Sequence, residues 1–456
     1  MEKYSPIDLG KYAEFDTSLL RGKHLVVLPS QGEKNTKILT GIEGEMLYEH
    51  RQAGEAMGNY PGIFISRVAL PKTEAHYRNK LFGDHNPHWM IPGNKIKGGS
   101  LDQIVLANPG FLSSLAEEVA KKSAGESSMS LYGFNQTEEM EAIAQKLGVP
   151  YYGNSKFANW AGTKVGLSEF AGECGIYTPM TVPIYHPGQL KDAVLNLAQA
   201  GYEKVVVKVS HSTGGMGHLI SSIADIVRGH PSQYLPNEFT PEEGGVVQGW
   251  VPDTTSVSIA TFIDFDGSYK FTSAQAHLLE GQSALGAIGA EPIDKKYLDP
   301  ILAVGHKLAK GYSKHQAWGP HTMGMLIVPP HISEKLGFPV GAPLCNDENT
   351  RPGASTISKA WILALREGQY GIGWVVSKLK VAPGTKIEHV IEVLQDNKLL
   401  ITKTGPNAEG IFVFNGSVLD SGYEDSFYAV AISGKDDPYE AAHLIKKAQG
   451  VFKNDQ

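Results

Sequence analysis

The sequence predicts a multidomain protein that combines α/β and α+β architecture, and three observations support this. Short β-branched runs alternate with amphipathic helices up to about residue 150, which is typical of a parallel α/β domain. Beyond about residue 371, several strand-like runs precede one closing helix, as in a compact α+β unit. The length of 456 residues fits about two to four domains. We therefore predict units at 1–150, 151–366 and 367–456.

The net charge, the cysteines and the apolar runs argue against several classes of protein and indicate a cellular compartment. The net charge is −7, which argues against a general nucleic-acid-binding protein, so no nucleic-acid partner is predicted. The two cysteines, Cys174 and Cys345, give neither a disulfide framework nor zinc-ligand spacing, which fits a reducing compartment. Residues 1–10 have no apolar core, and no apolar run approaches the roughly 18 residues that a membrane span needs. We predict a cytoplasmic protein without a membrane partner.

The first unit, 1–150, is predicted from two kinds of segment. Strand-like runs lie at 24–28, 103–106 and 130–134. Apolar residues at helical spacing predict helices at 111–122 and 138–147, and Thr137 precedes the second helix as its cap. Three histidines in the less regular stretch at 57–100 lack ligand spacing, so we interpret them as loop residues and not as a metal site: His76, His85 and His88.

The remaining units alternate helices and strands without internal repeats. In the second unit, helices are predicted at 163–174, 190–200, 298–308 and 355–365. Strands are predicted from residue 205, at 245–251, as a hairpin over 257–277, and as a pair at 323–328 and 344–351. In the third unit, we predict strands at 386–393, 398–404, 410–414 and 427–432, and a helix at 439–448 that ends at Gly450.

The stretch at 205–217, Val-Val-Val-Lys-Val-Ser-His-Ser-Thr-Gly-Gly-Met-Gly, carries the first candidate site. Its β-branched start predicts a buried strand, and Lys208 inside that strand is costly to bury without an anionic partner. The glycines that follow, Gly214, Gly215 and Gly217, let backbone N–H groups turn toward a phosphate. We interpret Lys208 as a phosphate-binding charge below a flap, although an edge lysine followed by a polar loop has the same pattern.

The second candidate site lies at 346–353, which reads Asn-Asp-Glu-Asn-Thr-Arg-Pro-Gly. Residues two apart on a strand share a face, so Asp347, Asn349 and Arg351 are predicted to project together. A carboxylate and an amide oxygen suit Mg²⁺, which keeps phosphate oxygens in its shell. An arginine beside them suits a carboxylate or a transferring phosphoryl group. A polar strand end with an exposed charge pair is the alternative interpretation.

The order of these parts resembles the ATP-grasp superfamily of carboxylate–amine ligases over about 153–365. Lys164, in Thr-Lys-Val-Gly-Leu-Ser-Glu-Phe, matches the first nucleotide-binding lysine of that family, and Lys208 matches the second. The resemblance implies an ATP-grasp fold with an N-terminal pre-ATP-grasp domain and a nucleotide lid at about 175–250. It also implies ATP and Mg²⁺ as cofactors.

The resemblance assigns roles to individual residues. Asp347 and Asn349 would hold Mg²⁺, and Arg351 with Lys208 would act in catalysis. The segment Gln-Gly-Trp-Val at 248–251 matches the family's hinge against adenine, with an aspartate just beyond it for the ribose. The residues implied to contact the nucleotide are Lys164, Lys208, Ser210, Ser212, Thr213, Gly214, Gly215, Met216, Gly217, Gln248, Trp250, Val251 and Asp253.

One position departs from the family pattern. The family usually has a second acidic metal ligand on the preceding strand, where this chain has Gly324 in Met-Gly-Met-Leu-Ile. We predict that Glu280, on a neighbouring strand, supplies the missing charge as a third metal ligand. Glu348 is expected to point to the opposite face of its strand and is the poorer candidate.

A narrower resemblance is to the peptide ligases of pheganomycin-type antibiotic biosynthesis. It depends on the segment Leu-Tyr-Gly-Phe that ends at Phe134, on the run at 347–355 and on the compact C-terminal unit. It implies that a guanidino phenylglycine-like acid is joined to the amino terminus of a peptide. The reaction would run through an acyl phosphate and release ADP and phosphate.

Other interpretations stay open. The chain could use free amino acids as a dipeptide ligase or act as a carboxylase, and the gap at Gly324 is compatible with a nucleotide-binding sensor that does not turn over. The predicted partners are a small carboxylic acid and a peptide or amino-acid amine, and a homodimer is allowed. His211, His277 and His321 are candidate bases, although a structural role is favoured for each.

Overall fold

The computed structural model describes most of the chain. The described residues are 23–30, 49–57, 62–93, 99–124, 128–211, 217–280, 283–288, 295–369, 373–422, 424–435 and 437–454, with side chains at all of them except 276–280, 283–288, 295–296, 354–355 and 454. Within these ranges, no helix has both the length and the apolar character that crossing a bilayer requires.

A five-stranded parallel sheet forms the N-terminal part of the fold, in the order β3-β2-β1-β4-β5. Its elements are β1 Leu25–Leu28, β2 Ile63–Ile65, β3 His88–Met90, β4 Ser130–Gly133, β5 Tyr151–Tyr152, and the helices α1 Lys72–Phe82, α2 Leu101–Leu106, α3 Pro109–Ser123 and α4 Glu138–Leu147. Strand β1 is buried throughout because its alternate residues join two separate hydrophobic clusters. The predicted strands at 24–28 and 130–134, the predicted helices and the Thr137 cap are confirmed.

The stretch around residues 76–106 differs from the prediction. Residues 103–106 belong to helix α2 and not to a strand, because Ser100 and Gln103 form a capping box that starts the helix. The histidines are not loop residues as predicted, since His76 lies in α1, His85 in a 3₁₀ turn and His88 in β3. In the part of the chain that the structure describes, no group of three or more His, Cys, Asp or Glu side chains could hold a metal ion.

Two short helices lead from this sheet into a lid that spans 181–249. The lid is a four-stranded antiparallel sheet in the order β6-β9-β7-β8. The elements are α5 Ser155–Ala161, α6 Lys164–Glu173, β6 Thr181–Ile184, α7 Leu190–Gln199, β7 Lys204–Val209, β8 His218–Ser222, α8 Ile223–Arg228 and β9 Gly245–Gly249. Helices α7 and α8 bury their apolar residues against the valines of β7 and β9. The predicted helices at 163–174 and 190–200 and the strand from 205 are confirmed.

An eight-stranded antiparallel sheet forms the body of the molecule, in the order β14-β13-β10-β11-β12-β15-β17-β16. Its strands are β10 Thr255–Ile263, β11 Tyr269–Glu280, β12 Ser283–Ile288, β13 Gly319–Ile327, β14 Leu344–Asn349, β15 Trp374–Lys380, β16 Gly410–Val413 and β17 Ser426–Ile432. The helices around it are α9 Lys295–Lys314, α10 Pro330–Leu336 and α11 Ala354–Leu365. One face of β10, β11 and β13 packs on α6 and α9 in a single apolar cluster. The predicted hairpin and strand pair are confirmed.

The strands of the predicted C-terminal unit continue this sheet, since β15 pairs with β12. The prediction of a strand at 386–393 was wrong: these residues lie in helix α12, Ile387–Asp396, because buried Ile387, Val390, Ile391 and Leu394 recur at helical spacing. Residues 398–404 contribute an isolated bridge and no strand. Helix α13, Ser417–Ser421, precedes β17, and the last helix, α14 Pro438–Asn454, continues through Gly450 instead of ending there.

Candidate active site

Lys164 and Asp347 form the centre of the candidate site. Thr163 caps helix α6 by accepting a hydrogen bond from the Gly166 backbone at 2.9 Å, which fixes Lys164 as the first helical residue. The Lys164 side chain is 8% exposed, and its Nζ donates to Oδ1 of Asp347 on β14. Two residues far apart in the sequence therefore meet as an ion pair at the edge strand of the central sheet.

Lys208 brings the lid to the same place. It lies on β7, is 4% exposed, and its Nζ donates to Oδ1 of Asn346 at 3.1 Å. Burial lowers the pKa of Lys208 to about 7; the charge of Lys164 acts in the same direction, and the charge of Asp347 opposes both. Two lysines held this close in a buried place favour an anionic ligand between them.

Asp347 keeps its negative charge in this environment. Its side chain is 43% exposed. Desolvation raises the pKa of the carboxyl group, but the charge of Lys164, the hydrogen bond from it and the charge of Lys208 together outweigh desolvation and lower the pKa to about 2. The site therefore contains one ionised carboxylate between two lysines.

Strand β14 does not alternate regularly at the site. Its pairing with β13 shifts between Cys345 and Asp347, so Asn346 is an extra residue in the strand. The bulge turns two consecutive polar side chains toward the lysines, with Asn346 on Lys208 and Asp347 on Lys164. Sequence analysis missed Asn346 because strict alternation assigns it to the other face.

Asn349 and Arg351 extend the site beyond this pair. The Asn349 Nδ2 donates to Oδ2 of Asp347 at 3.2 Å, so these two side chains lie on one face. Arg351 lies beyond the end of β14, and its guanidinium carbon is 4.5 Å from the centre of the Phe134 ring. Since Phe134 directly follows β4, Arg351 connects the N-terminal sheet to the edge of the site.

The predicted hinge residues are at the end of β9, next to the lid core. Gln248 Nε2 donates to Oγ1 of Thr181 at 3.0 Å, and Val251 packs in the apolar cluster of the lid. The Trp250 backbone continues the lid pairing, and Asp253 is exposed with a φ of 56°. Their roles toward adenine and ribose stay predictions.

The flap between β7 and β8 is described only at its ends. Ser210 Oγ donates to the Glu243 carbonyl at 2.7 Å, and the Ser210 carbonyl accepts from the Lys164 backbone at 3.3 Å. Gly217, with a φ of 69°, accepts from the Val209 backbone at 3.1 Å. The predicted nucleotide contacts at Ser212, Thr213, Gly214, Gly215 and Met216 lie outside the described residues, as do the side chains of Glu280 and His277.

His218 belongs to the site but escaped the sequence analysis. It pairs with Lys208 across β7 and β8, so both side chains project from the same face of the lid. Burial lowers the pKa of His218 to about 3, and the charges of Lys208 and Lys164 contribute while Asp347 opposes them. The imidazole is therefore neutral. The sequence could have indicated His218, because the last residues of the strand before a flap pair with the first residues of the strand after it.

The opposite face of β14 carries a separate polar cluster. Tyr312 OH donates to Oε2 of Glu348 at 2.7 Å, and Nδ1 of His321 lies 3.5 Å from Oε1 of Glu348. The Tyr312 and His321 rings stack at 4.0 Å between centroids, and all three residues are buried. Glu348 therefore faces away from the lysines, as expected, and His321 has a structural place there and does not reach the site.

Gly324 occupies the position at which the resemblance to the superfamily implies an acidic metal ligand. It pairs with Asp347 across β13 and β14, and a Cβ atom at this position would stand 3.3 Å from the Asp347 Cβ. A side chain at Gly324 would therefore project beside Asp347. In this chain the same position exposes bare backbone.

The donor set fits a magnesium ion that is shared with a nucleotide. Asp347 offers an ionised carboxylate, and Asn349 and Asn346 offer amide oxygens nearby. Mg²⁺ commonly takes one or two carboxylates and completes its shell with phosphate oxygens and water. We therefore expect Asp347, with an amide oxygen, to hold Mg²⁺ only together with phosphate.

Comparisons with known proteins identify the fold. No protein-family model matches the chain, and no curated protein sequence is significantly similar to it. Among solved structures, an ADP complex of the purK N5-carboxyaminoimidazole ribonucleotide synthetase has a TM-score of 0.58 at 13% identity and covers 95% of this chain and 97% of its own. The Staphylococcus aureus synthetase with ADP has a TM-score of 0.53 at 11% identity, with 96% and 99% covered.

A carboxylase has the same architecture. The biotin carboxylase domain of the Hydrogenobacter thermophilus 2-oxoglutarate carboxylase, a dimer with MgADP and bicarbonate, has a TM-score of 0.54 at 12% identity and covers 90% of this chain and 86% of its own. These likenesses span nearly the whole chain. The predicted ATP-grasp fold is thereby confirmed.

Proposed function

We propose that this protein is an ATP-dependent ligase that joins a carboxylic acid to an amine and releases ADP and phosphate. One observation carries the proposal: Lys208 on the lid and Lys164 on α6, both buried, converge on Asn346 and Asp347 of the central sheet. Such a cluster suits a nucleotide triphosphate, because phosphate oxygens replace the anionic partners that two buried lysines need.

The chemistry follows from the need to activate a carboxylate. A carboxylate oxygen attacks the γ-phosphorus of ATP, and the bond between that phosphorus and the ADP oxygen breaks, which gives an acyl phosphate. The neutral amine then attacks the acyl carbon, the carbon–oxygen bond to phosphate breaks, and the amine loses a proton to solvent. Phosphoryl transfer depends mainly on position and charge neutralisation, which Lys164 and Lys208 supply.

Other residues would assist these steps. Arg351, whose guanidinium lies over the Phe134 ring, would stabilise charge on the acyl centre. Mg²⁺ on Asp347, when bound with ATP, would neutralise phosphate charge. The lid would exclude water, which matters because water hydrolyses an acyl phosphate. The hydrogen bond from the Lys164 backbone to the Ser210 carbonyl joins the start of the flap to the body.

We further propose that the acid is a guanidino phenylglycine-like carboxylate and that the amine is the amino terminus of a peptide. The resemblance at Phe134 and over 347–355 supports this. A carboxylase is the second candidate, and it is favoured by the carboxylase among the structures with this fold. Phosphate release measured with bicarbonate, free amino acids and peptides separates these candidates, since only the peptide ligase requires a peptide amine.

The test of the shared proposal uses two variants and a matched control. Lys208→Ala and Asp347→Ala should abolish amine-dependent phosphate release while the circular dichroism spectrum stays unchanged. Lys204→Ala, on the same strand β7 but exposed, should retain activity. Normal turnover in both site variants would refute the assignment. ATP binding without phosphate release across a broad panel of acids and amines would favour the non-catalytic sensor.

A further inference from the structure

The central sheet has a polar face opposite its apolar one. Cross-strand pairing places four residues in one line over β14, β13, β10 and β11: Asp347, Gly324, Ser258 and Gln275. Directly paired residues of antiparallel strands project to the same side. We call this line the polar row. On β13 and β10 the neighbouring residues point the other way, into the apolar cluster under α6 and α9; they are Met323, Met325, Val257 and Ile259.

Two buried side chains at the far end of the polar row carry a polar atom without a partner in the described part of the chain: Gln275 of the row and Ser273 beside it on the same strand. Gln275 is 3% exposed and Ser273 is 1% exposed. Within the described residues, Gln275 Oε1 has no hydrogen-bond partner, and neither does the Oγ of Ser273, two residues earlier on β11. Buried polar atoms are normally paired, so unpaired ones in a native fold indicate a missing partner.

The row lies between the lid and helix α11. On one side, Leu326 and Leu344 pack in the apolar cluster of the lid. On the other side, the Gly353 backbone, just before helix α11, donates to Oγ1 of Thr322 at 3.0 Å. Thr322 lies two residues before Gly324 on β13, so this contact covers the sheet next to the polar row. Lys359, further along α11, donates to the Thr272 carbonyl at 2.7 Å. The helix therefore borders the row on the same face, and the lid borders it from the nucleotide side.

Gly324 connects the candidate active site to these unpaired atoms. It pairs with Asp347 on one side and with Ser258 on the other, and it has no side chain to separate them. A Cβ at residue 324 would stand 3.3 Å from that of Asp347, so even a methyl group would crowd this place. A ligand can lie against the bare backbone here.

We propose that the polar row binds the side chain of the acid substrate, which crosses Gly324 and presents a nitrogen-borne hydrogen-bond donor to Gln275 and Ser273. This rests on the proposed function, in which the carboxylate of the acid reacts with a phosphate held near Lys164, Lys208 and Asp347. A donor suits this place because the unpaired amide oxygen of Gln275 can only accept a hydrogen bond, so a carboxylate oxygen would find no donor in that atom. Two strand spacings separate Gly324 from Gln275, about 10 Å, which sets the scale of the substrate.

The experiment compares acids that share four methylenes and differ at their far end. Adipamate and 5-guanidinopentanoate carry nitrogen donors, 6-methylheptanoate is the apolar match of adipamate, and adipate ends in a carboxylate. Their binding to the full-length protein is measured by titration calorimetry with Mg²⁺ and a non-hydrolysable ATP analogue. We expect at least one nitrogen-bearing acid to bind about tenfold or more tighter than both 6-methylheptanoate and adipate, as a hydrogen bond to a buried acceptor allows.

Gln275→Leu should remove that preference. This variant is expected to fold, because the Gln275 Oε1 atom has no partner to lose and leucine has a similar size; an unchanged circular dichroism spectrum checks this. Gln395→Leu, at an exposed position on α12, is the matched control and should retain the preference. Equal affinities in the unmodified protein, no binding by any of the four acids, or a preference that survives Gln275→Leu would each overturn the proposal.

The two proposals fail in different ways. Phosphate release with the same acids and an amine is measured in parallel. If the protein discriminates the acids in calorimetry but never releases phosphate, the proposal for the polar row stands and the proposed ligase reaction is wrong. If the protein ligates acids but does not discriminate their far ends, the ligase reaction stands and the proposal for the polar row is wrong.

Discussion

ATP binding should change the protonation of Lys208, and the size of this change follows from the structure. Burial lowers the pKa of Lys208 to about 7, so at pH 8 only about one-tenth of the free protein carries the ammonium form. A phosphate beside the nitrogen favours the charged form and returns the pKa toward its usual range. Binding at pH 8 should therefore take up about 0.9 proton.

The sign of the pH dependence follows from this uptake. Since the complex holds more protons than the free protein, affinity for ATP falls as pH rises. Between pH 7 and the pKa of the complex, the affinity should fall about tenfold per pH unit. The phosphates of ATP contribute little to this slope, because their own pKa of about 6 lies below the window.

Calorimetry in two buffers with different ionisation enthalpies measures the proton uptake directly. Lys208→Met should bind ATP more weakly and take up no proton through this position. Lys204→Met removes an exposed lysine from the same strand and should leave the uptake unchanged. Equal uptake by the unmodified protein and Lys208→Met would refute the reasoning, because it would place the titrating group elsewhere.

Three further outcomes are expected. Asp347→Asn should raise the Mg²⁺ concentration needed for nucleotide binding about tenfold or more in a Mg²⁺ titration, because the ionised oxygen ligand is lost; an unchanged requirement contradicts the metal assignment. Arg351→Ala should lower kcat about 10²–10³-fold with little change in the KM for ATP, as for other groups that stabilise charge in the transition state; a change in KM alone contradicts that role. Gly353→Ala should lower the free energy of unfolding by about 1–3 kcal/mol in denaturant titration, since the new Cβ would stand 2.7 Å from Oγ1 of Thr322. Gly172→Ala, whose Cβ would meet nothing within 4 Å, is the control for the last variant, and equal stability of the two would contradict the steric argument.

The convergence of the site was predicted from residue types together with the resemblance to the ATP-grasp superfamily, which singled out Lys164. A lysine in a buried strand and an aspartate in a polar strand end each need a partner, and both requirements can be read without a structure. The structure brings Lys208 and Lys164 to neighbouring residues of β14, Asn346 and Asp347.

Other parts of the site depended on tertiary pairing. The bulge that adds Asn346 is fixed by the register of β14 against β13, and nothing in the local sequence marks it.

Helix α12 was predicted as a strand because β-branched residues outweighed the helical spacing of the same positions. Helix α2 could have been found, since its Ser-x-x-Gln capping box stands in the sequence.

The charges of the cluster explain why the site favours an anion. Lys164 is paired with Asp347, but Lys208 contacts the neutral amide of Asn346, and His218 beside it stays neutral. Residue 324 is a glycine, so it brings no carboxylate to this cluster. Burial, together with the charge of Lys164, lowers the pKa of Lys208 to about 7, and an anion beside Lys208 would favour its charged form. A polyphosphate supplies the missing charge, so the same departure at residue 324 that weakens the metal site strengthens the demand for the nucleotide.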